Sequence, residues 1–270
     1  MSLVSAPPLT PNAWLRYDVV SRLLPPGGGS LLEIGCGQGG FAARLATTYD
    51  YLGVEPDGTS YATAKARLRA VGRGEVRHGM SFDVVEPDRR FDLVCAFEVL
   101  EHIDDQEAAV RNWMDSINPG GHLLISVPAF QERFAKADVF AGHFRRYSPE
   151  QMTDLLRRSG LEEITTVVYG VPLGYVLEHG RNFLLGRRLE SAQTVAPGAA
   201  SDHFSPTVTA APDVMEERTA GSGRVLQPKD WMGPATQVLT APFRRIQRRF
   251  PTRGTGLVAR ARVPGPPSPE

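Results

Sequence analysis

Two cysteines, Cys36 and Cys95, are all that the 270 residues hold. That number excludes a disulfide framework, and their spacing matches no Cys/His metal motif, so a reducing compartment fits. Net charge is also missing: 30 basic and 30 acidic side chains cancel, and the pI is near 7.0. No global field therefore draws the chain to a polyanion, and no basic groove with interleaved aromatics appears, so nucleic acid is not expected as a partner. No apolar run approaches the ~20 residues that cross a bilayer, and the first residues have neither a basic nor an apolar signal segment. The expected location is cytoplasmic, at most peripheral to a membrane.

What the chain does have is 41% hydrophobic residues, enough for one α/β core with an elaboration. Trp14, Leu15, Val19, Leu23 and Leu24 recur at helical spacing before Pro25-Pro26-Gly27 stops them. Short apolar runs then alternate with helical patterns: strands at Leu31–Ile34, Tyr51–Val54, Val76–His78, Phe91–Phe97 and His122–Val127, and helices at Phe41–Ala46, Tyr61–Val71 and Gln106–Ile117. Strands of near-continuous apolar residues belong to a parallel sheet covered on both faces. Ser148-Pro149-Glu150-Gln151 predicts a capped helix to about Arg158, followed by a strand from Leu161 to Tyr169. Tyr175–Leu189 and Ala235–Phe250 read as basic amphipathic helices, and Thr255–Val263 as a final strand. Between the two helices, about 191–223, the composition is that of a disordered linker. The expected division is an N-terminal helix and linker (1–29), a core (30–172), a lid insertion (173–253), a returning strand (254–264) and a disordered tail (265–270).

The chemical signal is densest at Leu31-Leu32-Glu33-Ile34-Gly35-Cys36-Gly37-Gln38-Gly39-Gly40. A strand ends there in a turn whose missing side chains let backbone N–H groups approach a ligand, with the next helix N-terminus aimed at the same place. Gly35-x-Gly37-x-x-Gly40 satisfies the dinucleotide fingerprint, but Glu33 lies two residues before it. A pyrophosphate would be repelled by that carboxylate, whereas the ammonium of an amino-acid-like ligand would be attracted. Glu55, at the end of the second strand, stands where a carboxylate accepts ribose hydroxyls. Phe91–Ile103 runs from a fourth strand into an acidic turn, and Asn118-Pro119-Gly120-Gly121 is expected to be a tight turn entering the fifth.

In this order and at these separations, LLEIGCGQGG, GVEP, FDLVCAFEVLEHI and NPGG resemble the class I S-adenosylmethionine-dependent methyltransferases, and EVLEH is similar to the ubiquinone-pathway O-methyltransferases. The resemblance covers about residues 14–172 and 255–263. It implies a Rossmann-like seven-stranded sheet whose last strand is antiparallel and lies between the fifth and sixth, with helices on both faces and the insertion between the last two strands. It implies S-adenosyl-L-methionine as cofactor: Gly35, Cys36, Gly37 and Gly39 against its methionine portion, Glu33 near its amino group, and Glu55 and Pro56 at the ribose. Ser81, Phe82 and Asp83 would frame the adenine, with Met80 where many members have an acid. Phe97 and Glu98 would lie beside the sulfonium.

A methyl group would pass by in-line displacement to a small-molecule, glycan or lipid-linked acceptor, with a hydroxyl preferred. His102 and His143 are the candidate bases, and Glu101, Arg145, Arg146 and Tyr147 the candidate acceptor contacts. Glu98, Glu101 and His102 form an E-x-x-E-H set that resembles a metal site in the ubiquinone-pathway enzymes. The same letters occur in metal-independent relatives, and no metal is assigned here. His78, His122, Cys36 and Cys95 read as structural. Two rival readings remain at this point: an NAD-dependent oxidoreductase, from the glycine spacing and Glu55, and a catalytically silent cofactor-binding module. The basic helices of the insertion add a peripheral membrane contact as a further expectation.

Overall fold

A computed structural model describes residues 6–195 and 232–265. The elements run α1 (Pro11–Leu23), β1 (Ser30–Ile34), α2 (Ala42–Leu45), β2 (Asp50–Glu55), α3 (Gly58–Val71), β3 (Glu75–His78), α4 (Ser81–Val84), β4 (Phe91–Phe97) and α5 (Gln106–Met114). They continue with β5 (Ile117–Pro128), α6 (Lys136–Ala141), α7 (Pro149–Arg158), β6 (Glu162–Gly170), α8 (Leu173–Val195), α9 (Gly233–Gln247) and β7 (Gly254–Arg262). Single 3-10 turns cover Leu100–His102 and Gln131–Arg133.

The seven strands form one sheet in the order β3-β2-β1-β4-β5-β7-β6. β1 pairs in parallel with β2 and β4, and β7 runs antiparallel to both β5 and β6. Side chains of a strand alternate between faces, and so neighbouring residues feed different cores. Leu32, Val94, Leu123 and Ile125 pack with Trp113, Met152 and Leu155 from α5 and α7. Leu31, Leu93 and Leu124 pack on the other face with Leu15 and Val19 of α1 and Leu68 of α3. Each such fully buried side chain contributes roughly 1.5–3 kcal/mol, and the site residues are fixed at the ends of strands anchored in this way. α7 has its capping box: Ser148 Oγ accepts from Gln151 N at 3.2 Å and Gln151 Oε1 accepts from Ser148 N at 2.9 Å.

Several boundaries differ from the sequence reading. The helix expected at Gln106–Ile117 stops at Met114, because Ile117 already pairs with Phe91 at the head of β5. The expected Asn118–Gly121 turn is an irregularity within that strand, where the register moves from Phe91–Ile117 to Leu93–His122. Gly121 passes so close to the Asp92 carbonyl that a Cβ there would meet it at 2.9 Å. α6 was not expected at all. Ser191–Val195, assigned to the linker, instead continue α8, consistent with the fair helix propensity of Ser191, Ala192 and Gln193. The rest of the proposed linker and residues 266–270 of the tail lie outside the described residues. Among the described residues, no helix is long and apolar enough to cross a membrane.

Candidate active site

The C-terminal ends of β1, β2 and β4 stand side by side, and in an open parallel sheet this edge is where ligands bind. Beyond β1 the glycine loop folds back on β2: Gly35 N and Cys36 N both donate to the Val54 carbonyl, at 2.9 and 3.1 Å. Gly35 and Gly37 have φ of +67° and +54°, a left-handed conformation that favours glycine. A Cβ at Gly35 would strike Val99 Cγ2 at 2.8 Å, whereas one at Gly37 would meet nothing within 4 Å. Gly35 is thus a packing glycine, while Gly37 opens onto free space, as the floor of a ligand cradle must. Gly39 packs against Ala64 of α3.

Glu55 ties this loop to the end of β2, accepting from Gly37 N at 2.7 Å and from Asp57 N at 3.0 Å. Pro56 follows it, and its carbonyl lies 2.8 Å from His78 Nε2, which gives His78 the structural role expected. Glu33 is 3% exposed and accepts a hydrogen bond from the Tyr51 hydroxyl at 2.6 Å. Burial pushes its carboxyl up to about 8. A nearby cation would reverse much of that shift, so Glu33 suits an ammonium ligand. Cys36 is buried in the same layer, where burial holds its thiol well above the ordinary range, as expected of a filler. Ser81 and Phe82 lie in the single turn of α4, and the Asp83 side chain of that turn is exposed.

At the end of β4, Phe97 is 7% exposed and meets the Phe41 ring edge-on at 5.2 Å. Glu98 adopts φ +58°, rare for a side-chain-bearing residue, and both its oxygens are engaged. Arg16 of α1 pairs with Oε2 at 3.0 Å, and Ser126 Oγ donates to Oε1 at 3.1 Å. Arg16 also donates to the Tyr169 hydroxyl at 3.0 Å, so one cation joins α1, β4 and β6 beneath the site. The sequence reading missed Arg16, since its helical position carries no signal that a carboxylate 82 positions away will receive it.

The 3-10 turn after Glu98 delivers Glu101 and His102, and the segment after α6 brings His143 to them. The two imidazoles meet edge to face, 4.7 Å between centroids. One side-chain ligand atom from each of Glu101, His102 and His143 lies within 4.8 Å of the others. Glu101 is fully buried, neither oxygen has a hydrogen-bond partner among the described residues, and burial raises its carboxyl well above the usual range. Burial, with His143 adding to it, lowers His102 to about 4, so it is a neutral base at ordinary pH. The cluster differs from the E-x-x-E-H set: His143 joins it, while Glu98 is committed to Arg16 and Ser126.

His143 is oriented by a residue the sequence reading did not select. Asp138 of α6, wholly buried, lies 2.8 Å from His143 Nδ1 and also takes Arg146 Nε and Nη2 at 2.9 and 2.7 Å. Arg146 Nη1 reaches Glu178 of α8 at 2.5 Å, and Glu178 pairs with Arg133 as well. Arg146 was expected to contact the acceptor, but its three nitrogens are spent on Asp138 and Glu178, so it holds the loop instead. Arg145 pairs with exposed Asp104 at 3.0 Å, where a ligand can compete, and Tyr147 is buried at the bridge to Ala129. The only hint of Asp138 in the sequence is an acid five residues ahead of the histidine.

Comparison with known proteins agrees with this geometry. A family model described as a methyltransferase domain matches residues 12–166. A "probable S-adenosylmethionine-dependent methyltransferase" of Mycolicibacterium smegmatis is 30% identical over 196 residues, 69% of this chain and 74% of that protein. A ubiquinone biosynthesis O-methyltransferase of Methylobacterium nodulans is 33% identical over 172 residues, 57% and 68% of the two chains. Among solved structures, the phosphoethanolamine N-methyltransferase 2 of Haemonchus contortus in complex with S-adenosyl-L-methionine overlays with a TM-score of 0.53 at 17% identity, covering 92% of this chain and 52% of that one. At that identity the likeness shows the fold alone. The chain belongs to the methyltransferase-domain family and is an S-adenosylmethionine-dependent methyltransferase. Its cofactor is S-adenosyl-L-methionine, which disposes of the nicotinamide reading that the glycine spacing alone had allowed.

Proposed function

We propose that this enzyme methylates a hydroxyl oxygen of a small-molecule, glycan or lipid-linked acceptor, with the His102–His143 pair receiving the proton. The observation that carries the reading is the edge-to-face imidazole pair beyond β4, with His143 oriented by buried Asp138. Relatives described as ubiquinone biosynthesis O-methyltransferases support oxygen as the atom modified.

When bound, S-adenosyl-L-methionine supplies a methyl group already activated on a sulfonium. The glycine loop, Glu33 and Glu55 would hold the donor, with Pro56, Ser81, Phe82 and Asp83 toward its nucleoside end. Phe97, buried at the end of β4, would border the methyl-transfer end of the site. Aligning two reactants removes as much as roughly 7–11 kcal/mol of barrier in favourable cases, and these donor-holding residues would do only that. A hydroxyl must also lose its proton. His143 donating from Nδ1 to Asp138 leaves Nε2 as the acceptor, and His102 is neutral because it is buried. A positioned base of this kind contributes typically ~10²–10⁴-fold. Arg145 and Tyr147 lie on the same segment and would meet the acceptor's polar end.

A second reading follows from the same cluster. Two imidazoles and a buried carboxyl without a hydrogen-bond partner are a donor set that suits a divalent cation. Glu101, His102 and His143 would hold it, and it would supply a charge for the acceptor oxygen. The experiment is release of S-adenosylhomocysteine across phenols, catechols, glycans, polyprenyl-linked sugars, amines and carbon acceptors, with and without chelator. Turnover only of amine or carbon acceptors rejects the hydroxyl reading; turnover lost to chelator and restored by a divalent cation selects the second.

A further inference from the structure

α9 is built inside out. Its fully buried residues are polar, Thr236, Thr240 and Gln247, with Phe243 half-buried against the core on the same side. Thr236 Oγ1 accepts from Trp14 Nε1 at 3.4 Å, and Gln247 donates to the Leu15 carbonyl at 2.9 Å while accepting from Gly170 N at 3.1 Å. Its outward residues are apolar, with Val238 and Leu239 about seven-tenths exposed and Ile246 40% exposed. At about 100° per residue, Val238, Leu239, Pro242, Arg245 and Ile246 fall within an arc of roughly 120°, opposite Thr236, Thr240 and Gln247. Phe250, just past the helix, is 42% exposed as well. Water does not favour such a stripe, and a contiguous exposed apolar patch marks an interaction surface.

α8 repeats the pattern. Val176, Gly180, Phe183, Leu184 and Arg187 follow i, i+4, i+7, i+8, i+11 spacing, and Val176, Phe183 and Leu184 are each about three-fifths exposed or more. Elsewhere on the helix, Glu178 grips Arg146 and Arg133. Both helices rest on α1.

We propose that the outward faces of α9 and α8 lie on an anionic lipid bilayer. Charge selects this occupant. From Met232 to Thr255 the sequence has five arginines and no acid; Arg245 shares the apolar arc, and exposed Arg249 follows in the turn just past the helix. Apolar side chains reaching past the headgroups, with arginines among the lipid phosphates, are the signature of an interfacial helix. A second copy pressed on the same face would bring arginine stripes together with no acid between them, a mismatch that interfaces avoid. The surface lies beside the chemistry: α8 begins just after β6, at the sheet edge carrying the active site, and Gln247 at the end of α9 binds Gly170 at the end of β6.

The test is flotation of the full-length protein with vesicles of phosphatidylcholine alone or with a third phosphatidylglycerol. Wild type should float with the anionic vesicles and far less with neutral ones. Arg245→Glu with Arg249→Glu should lower binding by about 20-fold or more, since each basic residue near the surface is worth roughly fivefold. Val238→Asp with Leu239→Asp should abolish it; both positions are exposed, so thermal unfolding should stay at the wild-type temperature. S-adenosylhomocysteine titration should be unchanged in every variant, which separates failure here from failure of the methyl-transfer reading. The proposal is overturned if wild type fails to float, or if the aspartate pair floats as wild type does. It is overturned equally if sedimentation shows a dimer that the aspartate pair dissociates.

Discussion

The two halves of the ligand edge are made of different material. The proposed cofactor half is mostly backbone: left-handed glycines and Glu55 bridging Gly37 to Asp57. The proposed acceptor half is mostly side chain: Glu101 and His102 from a 3-10 turn, His143 from beyond α6, and a chain of charges through Asp138, Arg146 and Glu178 to α8. Backbone cradles recognise what every member of a family must bind. Side chains on separate segments can be exchanged without disturbing the sheet, so an acceptor preference is expected to reside there. Buried carboxyls with raised pKa lie in both halves, Glu33 in one and Glu101 in the other, each poised for a positive partner.

If the halves are chemically independent, damage to one should leave the other intact. The largest effect should come from His143→Ala and His102→Ala, each lowering kcat by ~10²–10⁴-fold while S-adenosylhomocysteine affinity stays at the wild-type value. A fall in cofactor affinity of similar size would merge the halves. Next is Asp138→Asn. Removing the Asp138 charge leaves buried Arg146 with Glu178 as its one carboxylate partner, at a cost of up to about 3–5 kcal/mol, read as a lower urea midpoint. Nitrogen NMR shifts of His143 should report loss of the single Nδ1-protonated tautomer in the same variant, a change that general loosening of the fold would not produce. Glu55→Ala should then weaken cofactor binding by about one to two powers of ten, because hydrogen bonds to charged groups contribute roughly 1.5–3 kcal/mol each. Unchanged affinity would mean that the ribose is held elsewhere.

This contrast also explains what could be read from the sequence. The cofactor half is contiguous, so LLEIGCGQGG and GVEP present strand, turn and carboxylate within one stretch, and the sheet order follows from the family those motifs indicate. Within the acceptor half, His102 and His143 were legible as candidates but their meeting was not, because 40 positions of chain separate them and only the fold closes the distance. Arg146 read as a free cation because its neighbours in sequence say nothing of Asp138 beneath it or Glu178 on α8. The NPGG bulge was taken for a turn for a similar reason: Pro-Gly-Gly signals a chain reversal locally, while pairing with Asp92 and Leu93 keeps the segment in the strand. The apolar residues of α9 were visible, yet their direction was not. Amphipathic spacing states that a face exists and not which side of it meets the protein.

The finest test of the comparison concerns a proton. Glu33 titrates near 4.5 when unfolded and at about 8 in the folded chain, where burial favours its neutral form. Between those values the folded state holds the extra proton. The group's contribution to stability is therefore greatest below the unfolded value and declines as pH rises through the window. At pH 7 the neutral form of Glu33 is therefore favoured. An ammonium placed beside Glu33 lowers its pKa again, so binding S-adenosylhomocysteine should release a proton, and affinity should strengthen as pH rises from 6 to 8. Titration calorimetry at pH 7 in phosphate and in Tris reads that proton as a difference in heat, because the two buffers take it up with different enthalpies. Glu33→Gln should remove the difference. Equal heats in both buffers for the wild-type enzyme would place the amino group away from Glu33, and the cofactor half would then rest on its glycines and Glu55 alone.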